Sequence, residues 1–241
     1  MRAGSAGDRL HSGRRAGGGQ GAIRPDIGDL RRGPPAATRG CRRWHSDEVT
    51  QTPISRFPVA PRDQLPADLA ERYAAVEERS GFLPNVFAAL AWRPEEARAF
   101  FAMHDTLMDK ETDGLSKADR ELIVVATSAA NNCLYCVVAH GAVARIRARD
   151  PYLADQVAVD WRKAPLDARM HAVLSVATRL GADPAAVTAA DLELLTSHGL
   201  SEDDVWDVGM ITAFFALSNR LAHFAAIMPN EEFFLMGRIP R

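Results

Sequence analysis

The chain has 241 residues, 47% of them apolar and 25% charged, with a formal net charge of −2. That length and apolar share are enough to bury a hydrophobic core without disulfide or metal staples. The small total hides an asymmetry: residues 1–48 carry ten arginines against five acids, a net of +5, whereas residues 49–241 carry nineteen basic groups against twenty-six acidic ones, a net of −7.

Residues 1–48 also hold ten of the seventeen glycines, and no apolar stretch among them repeats with a period near 3.6 or 2. Such a segment cannot bury enough surface to offset the entropy of ordering it, so the expectation is a disordered basic arm. An organelle-targeting leader or a nucleic-acid tail is the functional alternative. Asp8, Asp26 and Asp29 interrupt the arginines and no amphipathic helix repeats, which favours no nucleic-acid partner. The folded domain is expected over residues 49–241, opening with "VTQTPISRFPVA", and Val49 is a candidate alternative start.

From Pro53 onward the signals are helical. "LPADLAERYAAVEERSG" opens at Pro66 and closes at Gly81, "PNVFAALAWR" follows, and "PEEARAFFAMHDTLMD" begins on Pro94 with Glu95 and Glu96 at the positive end of its dipole. Ser116 and Asp119 form a capping-box signature ahead of "ELIVVATSAA". Asn131-Asn132 interrupts, with Asn132 the expected N-cap of a helix starting at Cys133 and ending by Asp150, ahead of Pro151. Further helices are expected at about 152–162, 166–181, 189–198 and 202–227. Thr188/Asp191 and Ser201/Asp204 repeat the capping signature at the last two starts. Strand signals are missing, so the fold class is all-α in a single compact domain. The apolar tail in "EEFFLMGRIP" hints at packing on a neighbouring protomer. The longest apolar run, "VGMITAFFALSN", falls short of the roughly 18 residues a membrane span requires, so no membrane partner is expected.

Two of the three cysteines lie in "NNCLYCVVAH"; the third, Cys41, is in the arm. One C-x-x-C points to a reduced compartment, with the cytosol as default, and to redox or metal chemistry rather than a disulfide framework. At about 100° per residue, Cys133, Cys136 and His140 fall within an arc of about 60° on one helix face. The thiols can approach disulfide geometry, and His140, one turn beyond Cys136, can accept a thiol proton. The helix N-terminus favours a thiolate at Cys133 and the histidine favours one at Cys136, so spacing alone leaves the attacking sulfur open. Two other readings stand beside redox chemistry: a pair of small buried hydrophobes, and a zinc site that would need His223 as a fourth ligand. Haem c attachment is excluded because Val137, not histidine, follows Cys136.

Glu121, eleven residues, Cys133-Leu-Tyr-Cys136, three residues and His140 resemble the E-x11-C-x-x-C-x-x-x-H signature of the alkylhydroperoxidase AhpD-like family, within the carboxymuconolactone decarboxylase superfamily. "SGFLPNVFAALAWRPEEARAFFAMHDTLM", "LSKADRELIVVATSAANNCLYCVVAHG" and "LADQVAVDWRKAPL" are similar to its peroxidase-related subgroup, and the likeness covers about residues 54–238. It implies an AhpD-like helical bundle assembled as a homo-oligomer, a trimer or hexamer. It also implies an antioxidant thiol peroxidase with no bound cofactor, which reduces hydroperoxides with electrons from a lipoylated protein or other external dithiol reductant. Cys133 and Cys136 would cycle between dithiol and disulfide, with Glu121 and His140 as a proton relay. On one straight helix Glu121 would lie about 18 Å from Cys133, so the relay requires the chain to fold back at Asn131-Asn132. Otherwise Glu121 reads as a surface carboxylate beside Arg120. Tyr135 stands where alkylhydroperoxidases commonly carry histidine, and tyrosine is no base near neutral pH.

A non-enzymatic redox sensor that switches its oligomer is the competing reading. His104 and His171 read as packing or surface residues, His223 with Asn219 as an interhelical polar pair, and Trp92, Trp161 and Trp206 as core or interface anchors.

Overall fold

The computed structural model describes residues 53–238. The expected arm over 1–48, with Cys41, lies outside them. Among the described residues every regular element is helical: α1 (Ala67–Ser80), α2 (Asn85–Leu90), α3 (Pro94–Met108), α4 (Lys117–Ala130), α5 (Leu134–Ala148), α6 (Leu153–Asp160), α7 (Ala168–Ala182), α8 (Ala189–Ser197), α9 (Glu202–Ala225) and α10 (Glu232–Leu235), with single 3-10 turns at Arg62–Gln64, Trp161–Lys163 and Pro184–Ala186. No helix among them is long and apolar enough to cross a membrane.

The caps sit where the sequence calls for them. Ser116 and Ser201 each accept the backbone N–H of the acid three residues on, both at 3.1 Å, and that carboxylate accepts the serine N–H in return at 3.0 Å. The Asp191 carboxylate accepts the Thr188 N–H at 2.9 Å. Each such cap stabilises its helix by about 1 kcal/mol. Gly81 closes α1 with φ +82°, a left-handed value that a side chain would strain.

Helix α4 is the axis of the molecule. Arg120 through Ser128 are all buried, the polar Arg120, Glu121, Thr127 and Ser128 among them, so the helix is enclosed on nearly every side. It packs most extensively on α5 and then on α7 and α9. The main core joins Ile123, Val124 and Val125 of α4 to Val173 and Leu174 of α7 and Ile211 and Phe215 of α9. A second cluster surrounds the cysteines with Ala222 and Ala225 of α9, Ile227, Phe82 and Phe233. A third packs Leu69 and Tyr73 of α1 against Ala97 and Phe101 of α3. The Phe87 and Phe101 rings stack at 4.2 Å between centroids.

The tryptophans do not anchor the core, and their exposure leaves the interface half of the expectation in place. Trp92 and Trp206 are exposed, and Trp161 is only partly buried against the main core. The apolar tail divides: Phe233 of α10 is buried edge-on against Phe82 at 5.0 Å, while Phe234 and Leu235 remain exposed. Arg145 ties the tail down by donating to the carbonyls of Phe233 at 2.8 Å and Met236 at 2.9 Å.

Candidate functional site

The chain reverses between α4 and α5 in three residues. Asn131 ends α4, and Asn132 takes φ +53°, a left-handed value that asparagine tolerates better than most side chains. Cys133 then donates its N–H to the Ser128 carbonyl at 2.9 Å. Asn132 is therefore the residue that turns the chain, and the N-cap position expected for it belongs to Cys133. The result is an antiparallel helix pair with the sulfurs at its closed end.

Folding back brings Glu121 to His140, with Oε2 2.7 Å from Nδ1. Glu121 is buried, and its other oxygen lies 2.9 Å from the Arg147 guanidinium. The reading of Glu121 as a surface carboxylate beside Arg120 is thus overturned. Arg120 is itself fully buried and points elsewhere, pairing with Asp207 at 2.7 Å and donating to the Leu107 carbonyl at 3.0 Å. With Nδ1 donating to the carboxylate, the histidine's Nε2 is left to act as acceptor or, once protonated, donor. The Phe215 ring fixes the imidazole edge-on at 4.6 Å.

Cys133 and Cys136 are both free and buried. The Cys133 thiol is drawn down to about 7, chiefly by the hydrogen bond from the Cys136 thiol. Burial opposes that shift, and the Cys136 N–H, the imidazole of His223 and the Tyr135 N–H assist it. Cys136 is pushed well above the ordinary thiol range, because it gives that hydrogen bond and is buried beside its neighbour's charge. The pair therefore holds one thiolate near neutral pH, on the sulfur nearer the helix N-terminus. Ser218 Oγ lies 3.7 Å from the Cys136 sulfur, and Ser128, whose hydroxyl donates to Asn219 at 2.9 Å, also favours a thiolate there.

A cavity of about 440 Å³ opens on this arrangement. Cys136, His140, Glu121 and Arg147 line its inner side, and Phe87, Phe101 and His104 line its outer side. Cys133 is not part of the lining. His140 makes no direct hydrogen bond to either sulfur, so the expected thiol-to-imidazole contact is replaced by a shared cavity. Tyr135 is buried and its hydroxyl accepts the Val86 N–H at 3.2 Å; burial raises its pKa, so the phenol stays protonated and is no base in this site. The exposed His223 ring meets the Asn131 carbonyl at 3.0 Å through Nε2, and the buried Asn219 bonds Ser128. The expected Asn219–His223 pair is thus divided between two partners. Among the described residues no group of three or more His, Cys, Asp or Glu is placed to hold a metal ion.

Sequence reasoning missed Arg147, Ser128, Ser218 and His104 as site residues. Two of these were within reach of a helical count: Ser128 follows Glu121 by seven residues and Arg147 follows His140 by seven, two turns along the same faces. Ser218, 82 residues from Cys136, leaves no local signal.

The carboxymuconolactone decarboxylase family profile matches residues 94–151, the span from α3 to the end of α5. The alkylhydroperoxidase AhpD core of a peroxidase-related protein from Ralstonia eutropha JMP134 is 53% identical over 79% of this chain and 100% of that one, with a TM-score of 0.77. The chain belongs to the AhpD-like family. A second AhpD-like relative, a peroxidase-related protein from Silicibacter sp. TM1040, is 38% identical over 79% of this chain and 100% of that one, at TM-score 0.74. The debrominase Bmp8, solved with 2,3,4-tribromopyrrole, reaches TM-score 0.61 over 77% of this chain and 96% of that one; at 19% identity this likeness is one of fold alone. No significant match is found among curated proteins.

Proposed function

We propose that the protein is a thiol peroxidase that reduces an organic hydroperoxide through Cys133 and Cys136. The observation that carries this reading is the placement of one sulfur of a free C-x-x-C pair, Cys136, in a cavity it shares with the Glu121-bound His140. The Cys136 sulfur attacks the outer peroxide oxygen; an S–O bond forms, the O–O bond breaks, and the departing alkoxide takes the proton that His140 Nε2 has gained beforehand from solvent. Cys133 then attacks the sulfenic sulfur, forming the disulfide and expelling hydroxide, which takes the Cys133 thiol proton and leaves as water. Although the resting thiolate is on Cys133, the hydrogen bond between the thiols lets the proton pass, so Cys136 can ionise as substrate arrives. Glu121 holds the imidazole tautomer, and Arg147 holds Glu121.

The electrons are proposed to come from an external dithiol, with a lipoyl-bearing protein as the candidate, in a cytoplasmic homo-oligomer. Titrating the reduced protein with cumene hydroperoxide while counting thiols tests the reading. Two thiols should be lost per chain with the mass of one disulfide, dihydrolipoamide should sustain turnover, and Cys136→Ser should abolish it. No disulfide under peroxide and no turnover with any dithiol would sink the proposal.

A redox switch is the second reading, favoured by one observation: the cysteines share a core cluster with Phe233 and Met236 of the tail, whose outer residues are exposed. A change in size-exclusion profile on oxidation, without turnover, would select it.

A further inference from the structure

We infer that His104 of α3 is a proton-transfer residue that connects His140 to solvent across the cavity. The inference rests on the peroxidase reading. Proton balance creates the need: a resting pair with one thiolate and one thiol, reacting with ROOH, yields the disulfide, ROH and hydroxide. One proton must therefore be taken up in the oxidative half of each turnover to release water, and one is given back when the external dithiol restores the thiol–thiolate pair. The groups that handle it are deep, with the Glu121 side chain 3% exposed and His140 14%.

His104 is placed to bridge that depth. Its ring lies 6.1 Å from the His140 ring between centroids and both line the cavity, a separation that one water or the substrate's own oxygen can span. Its side chain is 32% exposed, so it meets solvent more fully than His140 does. Phe215 packs against both rings, at 6.4 Å and 4.6 Å, which keeps them facing the same space.

The remaining groups suit a shuttle. His104 Nδ1 lies 3.2 Å from Asp105, whose carboxyl is held down to about 2, first by that hydrogen bond and then by Arg72. Arg72 bonds Asp105 at 2.9 Å and rests over the Phe101 ring. With Nδ1 turned to a permanent carboxylate, Nε2 is the nitrogen left to gain and lose the travelling proton. Across the cavity His140, Glu121 and Arg147 face it from α5 and α4, where Arg147 and Glu121 balance each other's charge. Helix α9 places Phe214 and Phe215 beside the His104 ring and adds the uncharged Ser218 to the cavity lining. Reading His104 as a packing residue therefore undervalues it.

The test is steady-state peroxidase turnover against pH at low buffer concentration, in wild type, His104→Gln and His104→Ala. Both variants should lose roughly tenfold, a share of what a proton-transfer group supplies, and added imidazole should restore His104→Ala toward wild type. Thermal melts report whether either variant has merely lost structure. If wild type turns over while the variants keep its rate and pH profile, or if imidazole restores nothing, the inference falls and the peroxidase reading stands. If wild type forms no disulfide with hydroperoxide, both fall together.

Discussion

The two sides of the cavity are built from opposite materials. The inner side, on α4 and α5, holds buried polar groups that fix one another: Arg147 on Glu121, Glu121 on His140, and Cys136 beside Cys133. The outer side, on α1 to α3, is aromatic, with Phe87 and Phe101 stacked and the charged Arg72–Asp105 pair at its edge. Fixed groups in a dry wall need no reorganisation when charge develops, which serves chemistry. An aromatic wall with a half-open polar edge serves substrate fit and exchange with water. Reactivity and access are thus assigned to different helices, which can be altered one at a time.

The largest effect should come from breaking the inner side. Glu121→Gln removes the negative charge that holds the His140 Nδ1 proton and leaves Arg147 without its nearest carboxylate. Turnover should fall by about 10²-fold or more, and stability by about 1–3 kcal/mol, checked by peroxide kinetics and denaturant titration.

A smaller and more diagnostic effect concerns pH. Because the folded Cys133 thiol ionises near 7 rather than 9.0, alkylation of the reduced protein should rise through a midpoint near 7. Substituting His223→Gln should move that midpoint upward, since an imidazole charge that favours the thiolate is lost. The sign for stability follows: a depressed acid pKa contributes stability that is complete above the unfolded value and lost as pH falls through the folded one. Relative to Cys133→Ser, the reduced protein should gain stability between about pH 7 and 9. A flat difference across that window would remove Cys133 as the resting thiolate.

The smallest effect should come from Tyr135→Phe. It removes only the acceptor for the Val86 N–H, so a stability loss of about 1 kcal/mol with unchanged turnover is expected. A large fall in turnover would mean that the hydroxyl takes part in chemistry after all.

What could be read in advance follows from how local each signal is. Gly81, Ser116, Ser201 and the Pro94 start act within four residues of themselves, and the helices begin and end where they indicate. Cys136 and His140 share a face of α5 for the same reason, whereas Cys133, at the N-cap, is not part of the cavity they line. Glu121 was legible only through family resemblance, because its partner is nineteen residues away across a chain reversal whose geometry Asn131-Asn132 signals but does not specify. Ser218 and His104 come from helices remote in sequence, and their roles exist only after α3 and α9 have packed. Trp92 and Trp206 do not anchor the core, although a large aromatic side chain suggests burial: Trp92, in the turn after α2, stacks on Phe57, and Trp206 stands on an exposed face of α9.

The reversal at Asn132 has a mechanical consequence. Twelve positions separate Glu121 from Cys133, and the hairpin uses them as a ruled length with its zero at the turn. One residue inserted within the early turns of α5 would displace everything after it by about 1.5 Å and rotate it by about 100°. His140 would leave Glu121, Arg147 would leave the carboxylate, and the link between sulfur and relay would fail in one step. This segment can absorb substitutions singly, each with its own graded loss, but a change in length would disassemble the centre as a unit.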